Sequence, residues 1–155
     1  MKTRTILASL VVFLAGVAFG LAQTDVSAYM GTWKLNEGKS KFAPGSGKNT
    51  MVTYAAAGEN MVKVVTDSTD KDGKPAHTEW TGKFDGKDYK VTGTDMYDTR
   101  SYMPAGKHSL SMTIKKGDKT VMTGKVTVSP DGKSRTVTTT GSEPSMNNMA
   151  VYDKQ

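Results

Sequence analysis

Few side chains in this sequence are suited to covalent or metal chemistry. Cysteine is absent, so there is no thiol nucleophile, no thiolate ligand and no disulfide framework. The two histidines are His77 and His108. His77 sits beside Glu79 with outward parity on an alternating segment and reads as a solvated surface residue. His108 has inward parity at the start of a later strand, which makes it a candidate polar contact inside the fold. Zinc requires three or four converging ligands, and two histidines of opposite parity do not supply them. Ten methionines invite a Cu(I) reading, because thioethers are soft ligands. The spacings oppose it. Met146 and Met149 fall on opposite faces of a strand, and His108 and Met112 lie about 13 Å apart along one face. Asp67, Asp70 and Asp72 lack the terminal Glu of a calcium loop and read as turn residues. No Gly-x-Ser-x-Gly elbow occurs. No catalytic residue, metal or cofactor is expected, and the chain does not read as an enzyme.

Binding chemistry fits the sequence better. Tyr54, Trp80, Phe84 and Tyr89 share inward parity and form a candidate lining for a small, partly apolar molecule, with Arg100 or His108 as its polar contact. The elements that must position them are strands. Asp72-Gly73, Asp85-Gly86 and Asp131-Gly132, each followed by Lys, together with 57–60 and Gly117-Asp118, separate alternating segments as hairpin turns do. Inward residues run Trp33 and Leu35; Val52, Tyr54 and Ala56; Val62 and Val64; then Ala76, Thr78, Trp80, Gly82 and Phe84. They continue with Tyr89 and Val91; Leu110, Met112 and Ile114; and Met122, Gly124, Val126 and Val128. Val137 and Val151 mark two last strands. The pattern predicts an all-β fold, a single antiparallel up-and-down barrel of about eight to ten strands. Residues 39–49, with Pro44, Gly45 and Gly47, form the longest irregular stretch and are expected to cross one barrel end. Residues 25–29 are expected to form one helical turn capped by Asp25 or Ser27.

The N-terminus has the layout of a secretory signal peptide. Lys2 and Arg4 precede an apolar run over 6–19, and Gly20 and Ala22 place the expected cleavage after Ala22, with cleavage after Gly20 as the nearby alternative. The reading is a signal peptide over 1–22 and a barrel domain over 23–155, in the periplasm or outside the cell. No Cys follows the apolar run, so the chain does not read as a lipoprotein. Cleavage removes two positive charges and lowers the net charge from +6 to +4. The basic residues sit singly among Thr, Gly and Asp rather than on one face, unlike a nucleic-acid binder. Outward strand positions are Thr, Lys, Ser, Glu and His, unlike the apolar exterior of an outer-membrane barrel. A monomer is expected, with no nucleic-acid partner and no membrane insertion after cleavage.

Gly31-Thr32-Trp33 opens the first strand, and a Gly-x-Trp triplet at that position resembles the lipocalin and wider calycin signature. More closely, the segments GTWKLNEGKSKF, FDGKDYKVTG and the ending VYDKQ resemble a group of small secreted bacterial proteins described as lipocalin-like. The resemblance implies a calycin-type barrel in which Trp33 closes one end, packed beneath a basic side chain from a late strand. Arg135, with inward parity beside Val137, is the expected partner, and Arg100 is the other candidate. A second lipocalin motif is only echoed, in residues 93–97. A barrel of this size either fills its interior or holds one small ligand. Two readings therefore stand: a carrier of a small apolar molecule, and a filled barrel acting through its surface as an inhibitor or envelope interaction module.

Overall fold

The computed structural model describes residues 26–155. The expected signal peptide over 1–22, the first residues of the domain and the cap at Asp25 lie outside the described residues. Ten strands form one closed antiparallel barrel, each paired with its neighbours in sequence, and β1 pairs with β10 to close it. The strands are β1 (Gly31–Leu35), β2 (Lys48–Ala56), β3 (Val62–Thr69), β4 (Pro75–Gly82) and β5 (Tyr89–Thr92), then β6 (Thr99–Pro104), β7 (Ser109–Lys116), β8 (Lys119–Val128), β9 (Ser134–Gly141) and β10 (Asn148–Lys154). Closure places Trp33 opposite Lys154 and Leu35 opposite Tyr152. The shortest pairings lie around β5, where Glu79 and Trp80 meet Thr92 and Val91, and Tyr89 and Lys90 meet Arg100 and Thr99.

The alternation sorts the faces along the strand centres as read, while Ala56 and Ala76, expected inside, are exposed near strand ends. Val62, Val64 and Thr66 on β3 are buried, as are Thr78, Trp80 and Gly82 on β4 and Leu110, Met112 and Ile114 on β7. The β3–β4 hairpin shows how the turns are built. The Asp70 side chain accepts from the Asp72 and Lys74 backbone amides at 2.8 Å, and Gly73 takes φ +78°, a conformation glycine adopts without steric cost. Asp70 is held below its ordinary pKa chiefly by the Lys74 amide.

The two ends of the barrel differ. At one end a 3₁₀ turn, Val26–Tyr29, covers the opening, and its Tyr29 carbonyl accepts the Trp33 indole N–H at 2.8 Å. Tyr29 and Trp33 have no solvent exposure. Burial pushes the Tyr29 hydroxyl pKa up to about 12. The irregular segment after the second 3₁₀ turn, Glu37–Lys39, runs past the opposite end. There Ser46 Oγ donates to the Ser145 carbonyl at 2.6 Å, and the Ala43 amide donates to Asn148 Oδ1 at 2.8 Å. A third 3₁₀ turn, Pro144–Met146, stands at the rim of that end, where Ser145 and Met146 border the opening.

Candidate functional site

A cavity of about 510 Å³ occupies the barrel interior and reaches the mouth framed by 45–49, 68–72, 93–97 and 145–148. Its walls carry Val52, Met112, Ile114, Met122, Val126 and Val137, the inward apolar residues of β2, β7, β8 and β9. Set among them are four of the six tyrosines, Tyr54, Tyr97, Tyr102 and Tyr152, and two arginines, Arg100 and Arg135. The volume falls within the roughly 300–1,000 Å³ typical of small-molecule sites.

Arg135 lies near the start of β9 and is 2% exposed. Its guanidinium carbon stands 5.3 Å from the Trp33 ring, 5.1 Å from Tyr54 and 4.5 Å from Tyr152. Three electron-rich faces at these distances stabilise a desolvated cation. Lys154 Nζ lies 5.2 Å from the same Trp33 ring. The late-strand basic residue expected beside Trp33 is thus Arg135, and it also faces the cavity.

Arg100, on β6, is 7% exposed. Its Nη1 donates to the Tyr102 hydroxyl and its Nη2 to the Tyr97 hydroxyl, both at 3.3 Å. Burial opposes the charge on Arg100, but the surrounding Tyr102, Tyr97 and Tyr54 phenols outweigh it and raise the pKa above the ordinary guanidinium value. Burial, reinforced by the neighbouring Tyr102 phenol, drives the Tyr54 hydroxyl far above the ordinary phenolic pKa. Burial likewise raises Tyr152. Tyr54 and Tyr152 therefore stay neutral and act as dipoles, not counter-ions.

The structure divides the six candidate lining residues. Tyr54 and Arg100 face the cavity. Trp80, Phe84 and Tyr89 pack instead as a stopper toward the covered end. Trp80 stacks on Phe84 at 6.3 Å and meets Tyr89 and Tyr102 edge-on at 5.8 and 5.1 Å, while Phe84 meets Tyr29 edge-on at 5.8 Å. The Trp80 indole donates to the Arg100 carbonyl at 2.8 Å, which satisfies its one polar atom inside this cluster. Gly82 makes the cluster possible, since a Cβ there would stand 2.5 Å from the Tyr89 ring. Tyr89 is half-buried, and its hydroxyl donates to Asp85 at 2.9 Å on the surface. His108 is half-buried in the turn before β7, at the covered end and away from the cavity, with its Nδ1 buried and without a hydrogen-bond partner. Phe84 also contributes to a groove of about 910 Å³ outside the covered end, beside Val26, Met30 and Met103. No buried charged side chain lines that groove.

Three cavity tyrosines were not among the sequence candidates. Tyr102 follows Arg100 by two residues and shares its face, a signal that recognising β6 as a strand would have exposed. Tyr152 continues the inward parity of Ala150 on β10. Tyr97 precedes β6 in a loop, where parity says nothing. Elsewhere, His77 is exposed on the barrel exterior, with Nδ1 2.7 Å from Asp67 and Nε2 3.6 Å from Glu79. Among the described residues, no three His, Asp or Glu side chains converge as a metal site would require.

Neither the protein-family models nor the curated proteins contain a match to this chain. Two solved structures resemble its backbone at low sequence identity. A redesigned β-barrel, mFAP1, bound to DFHBI, is 12% identical with a TM-score of 0.49, over 83% of this chain and 96% of that one. EF1p2_mFAP2b bound to DFHBI is 11% identical with a TM-score of 0.41, over 83% of this chain and 95% of that one.

Proposed function

We propose that this chain is an exported, lipocalin-like carrier whose barrel holds one small, partly apolar molecule. The observation that carries this reading is the interior cavity of about 510 Å³, open at one end and walled by aliphatic, thioether and phenolic side chains. A filled barrel would close such a space, because cores pack to crystal-like density with few voids larger than water. The covered end supports the same reading. The 3₁₀ turn, the Trp33–Arg135 contact and the Trp80 cluster seal one opening and leave the other as the route in. The exterior supports a soluble carrier: the large hydrophobic side chains exposed among the described residues are Val26, Met96 and Met103, which form no lipid-facing band. Export rests on the signal-peptide layout of 1–22.

The test is fluorescence titration of the purified protein with the neutral apolar probe N-phenyl-1-naphthylamine. The carrier reading expects enhancement that saturates at one probe per chain. Mass spectrometry of an organic extract of the native protein should reveal a co-purifying small molecule. Absence of any saturable probe binding overturns the carrier reading and favours the filled barrel. N-terminal sequencing of the exported protein should begin at Gln23; a start at Met1 overturns the export reading.

A further inference from the structure

Resting on the carrier reading, we infer that the ligand is an amphipathic anion, an apolar body bearing one oxyanion head of the carboxylate type, held by Arg100 and Arg135. Two arginines are buried in the cavity wall, and among the described residues no acidic side chain is buried with them. The ion pairs among the described residues are formed by Lys and His with surface carboxylates, and neither arginine takes part. Asp70 and Asp72, the carboxylates nearest the cavity, stand at its mouth, where Asp72 already meets Lys71 at 3.0 Å.

The donor inventory sharpens this. Arg100 Nε and Arg135 Nε and Nη1 are buried and have no hydrogen-bond acceptor among the described residues. A buried charge is ordinarily paired and hydrogen-bonded, because desolvating it without compensation is costly. The aromatic rings around Arg135 and the two phenols on Arg100 supply part of that compensation, but neutral groups leave both charges unneutralised. Guanidinium donors lie in a rigid fork that matches the two oxygens of a carboxylate. Ile114, Met122 and Val126 supply the apolar wall on which the rest of the molecule would lie. Buried cationic donors with acceptors missing are what an anion-binding pocket looks like before its ligand arrives.

The experiment compares head groups on one twelve-carbon chain. Dodecanoate, 1-dodecanol and dodecylamine are titrated into the purified protein by calorimetry, each below its aggregation concentration. The inference expects one dodecanoate per chain, bound at least tenfold more tightly than 1-dodecanol, with dodecylamine weakest. Arg100→Gln should lower dodecanoate affinity roughly tenfold to a hundredfold, the range for a hydrogen bond to a charged group, and leave 1-dodecanol unchanged. Arg135→Gln should do the same if it folds; the head-group comparison on the unaltered protein stands without it. A preference for dodecanoate over 1-dodecanol of less than tenfold overturns the anion inference and leaves the carrier reading in place. Failure of all three compounds to bind, with no N-phenyl-1-naphthylamine binding, overturns both.

Discussion

At the scale of single residues, the charged side chains fall into two populations with different physics. Those on the exterior meet partners in water, where pairs are worth little. His77 is the titratable example. Its hydrogen bond to Asp67 raises its pKa above the ordinary histidine value, helped by Glu79, while the little burial it has works the other way. A raised folded-state pKa means that the contribution of His77 to stability is present below the unfolded-state pKa and fades as pH rises through the folded value. Its exposure to solvent keeps that contribution small. Proton NMR titration should place the His77 midpoint above that of a model peptide, and Asp67→Asn should bring it down; a midpoint indifferent to Asp67→Asn would mean the contact does not persist in solution. Inside the barrel the logic reverses. Trp33 is fully buried between Arg135 and Lys154, with its indole N–H committed to Tyr29. Trp33→Ala should cost about 3–5 kcal/mol through lost burial and the cavity left behind. Set against a typical domain stability of about 5–15 kcal/mol, that loss should appear as a much lower denaturation midpoint, whereas an unchanged midpoint would mean the end seal is not structural.

At the scale of elements, the barrel was legible because a strand announces itself by alternation and a hairpin by its turn residues. β2, β3, β4, β7 and β8 each carry three or more inward apolar or small residues between Asp-Gly or Gly-rich turns, and their faces follow. β6 was harder to read. Its inward residues are Arg100 and Tyr102, with Ser101 between them also buried, so binary patterning shows no apolar face. The same fact hid Tyr102: a strand whose inward side is polar looks like a surface loop until the sheet is assembled around it. Trp80, Phe84 and Tyr89 were misplaced for the converse reason. Parity puts a side chain on the inner face but does not say at what height along the axis it lies, and these three gather toward the covered end. Gly82 is the structural signature of that gathering. Gly82→Ala should push a methyl group into the Tyr89 and Trp80 rings, an overpacking that costs about 1–3 kcal/mol. Gly117→Asn is the control. Gly117 has φ +56° and open space around its Cβ position, and asparagine tolerates that conformation, so its denaturation midpoint should stay close to that of the unaltered chain. Equal effects from the two substitutions would mean the aromatic stopper is loosely packed.

At the scale of the whole molecule, the question is whether the interior volume is open or taken up by repacking, and the two cases respond oppositely to added bulk. Met122 lies on β8, half-buried, opposite Ile114 of β7 and Gly141 of β9, with its side chain on the cavity wall. Met122→Trp adds a large planar group at a point where the surrounding side chains leave space. In an open cavity the indole occupies ligand volume. N-phenyl-1-naphthylamine binding should then be lost while the thermal midpoint stays level or rises, because filling a void with apolar atoms restores dispersion contacts its lining lacked. In a repacked interior the same atoms force off-rotamer neighbours at a cost of about 1–3 kcal/mol, a fall of several degrees for a domain of this size. Arg100→Met extends the test to charge. Removing a buried guanidinium that has no anionic partner should leave stability level or raise it, since apolar replacement of buried ions is often neutral or favourable. A chain that becomes more stable on losing Arg100, yet no longer prefers dodecanoate over 1-dodecanol, would have been keeping that charge for its ligand. A chain that unfolds on losing Arg100 would have been keeping it for the network with Tyr97 and Tyr102, and thermal denaturation of this one variant separates the two.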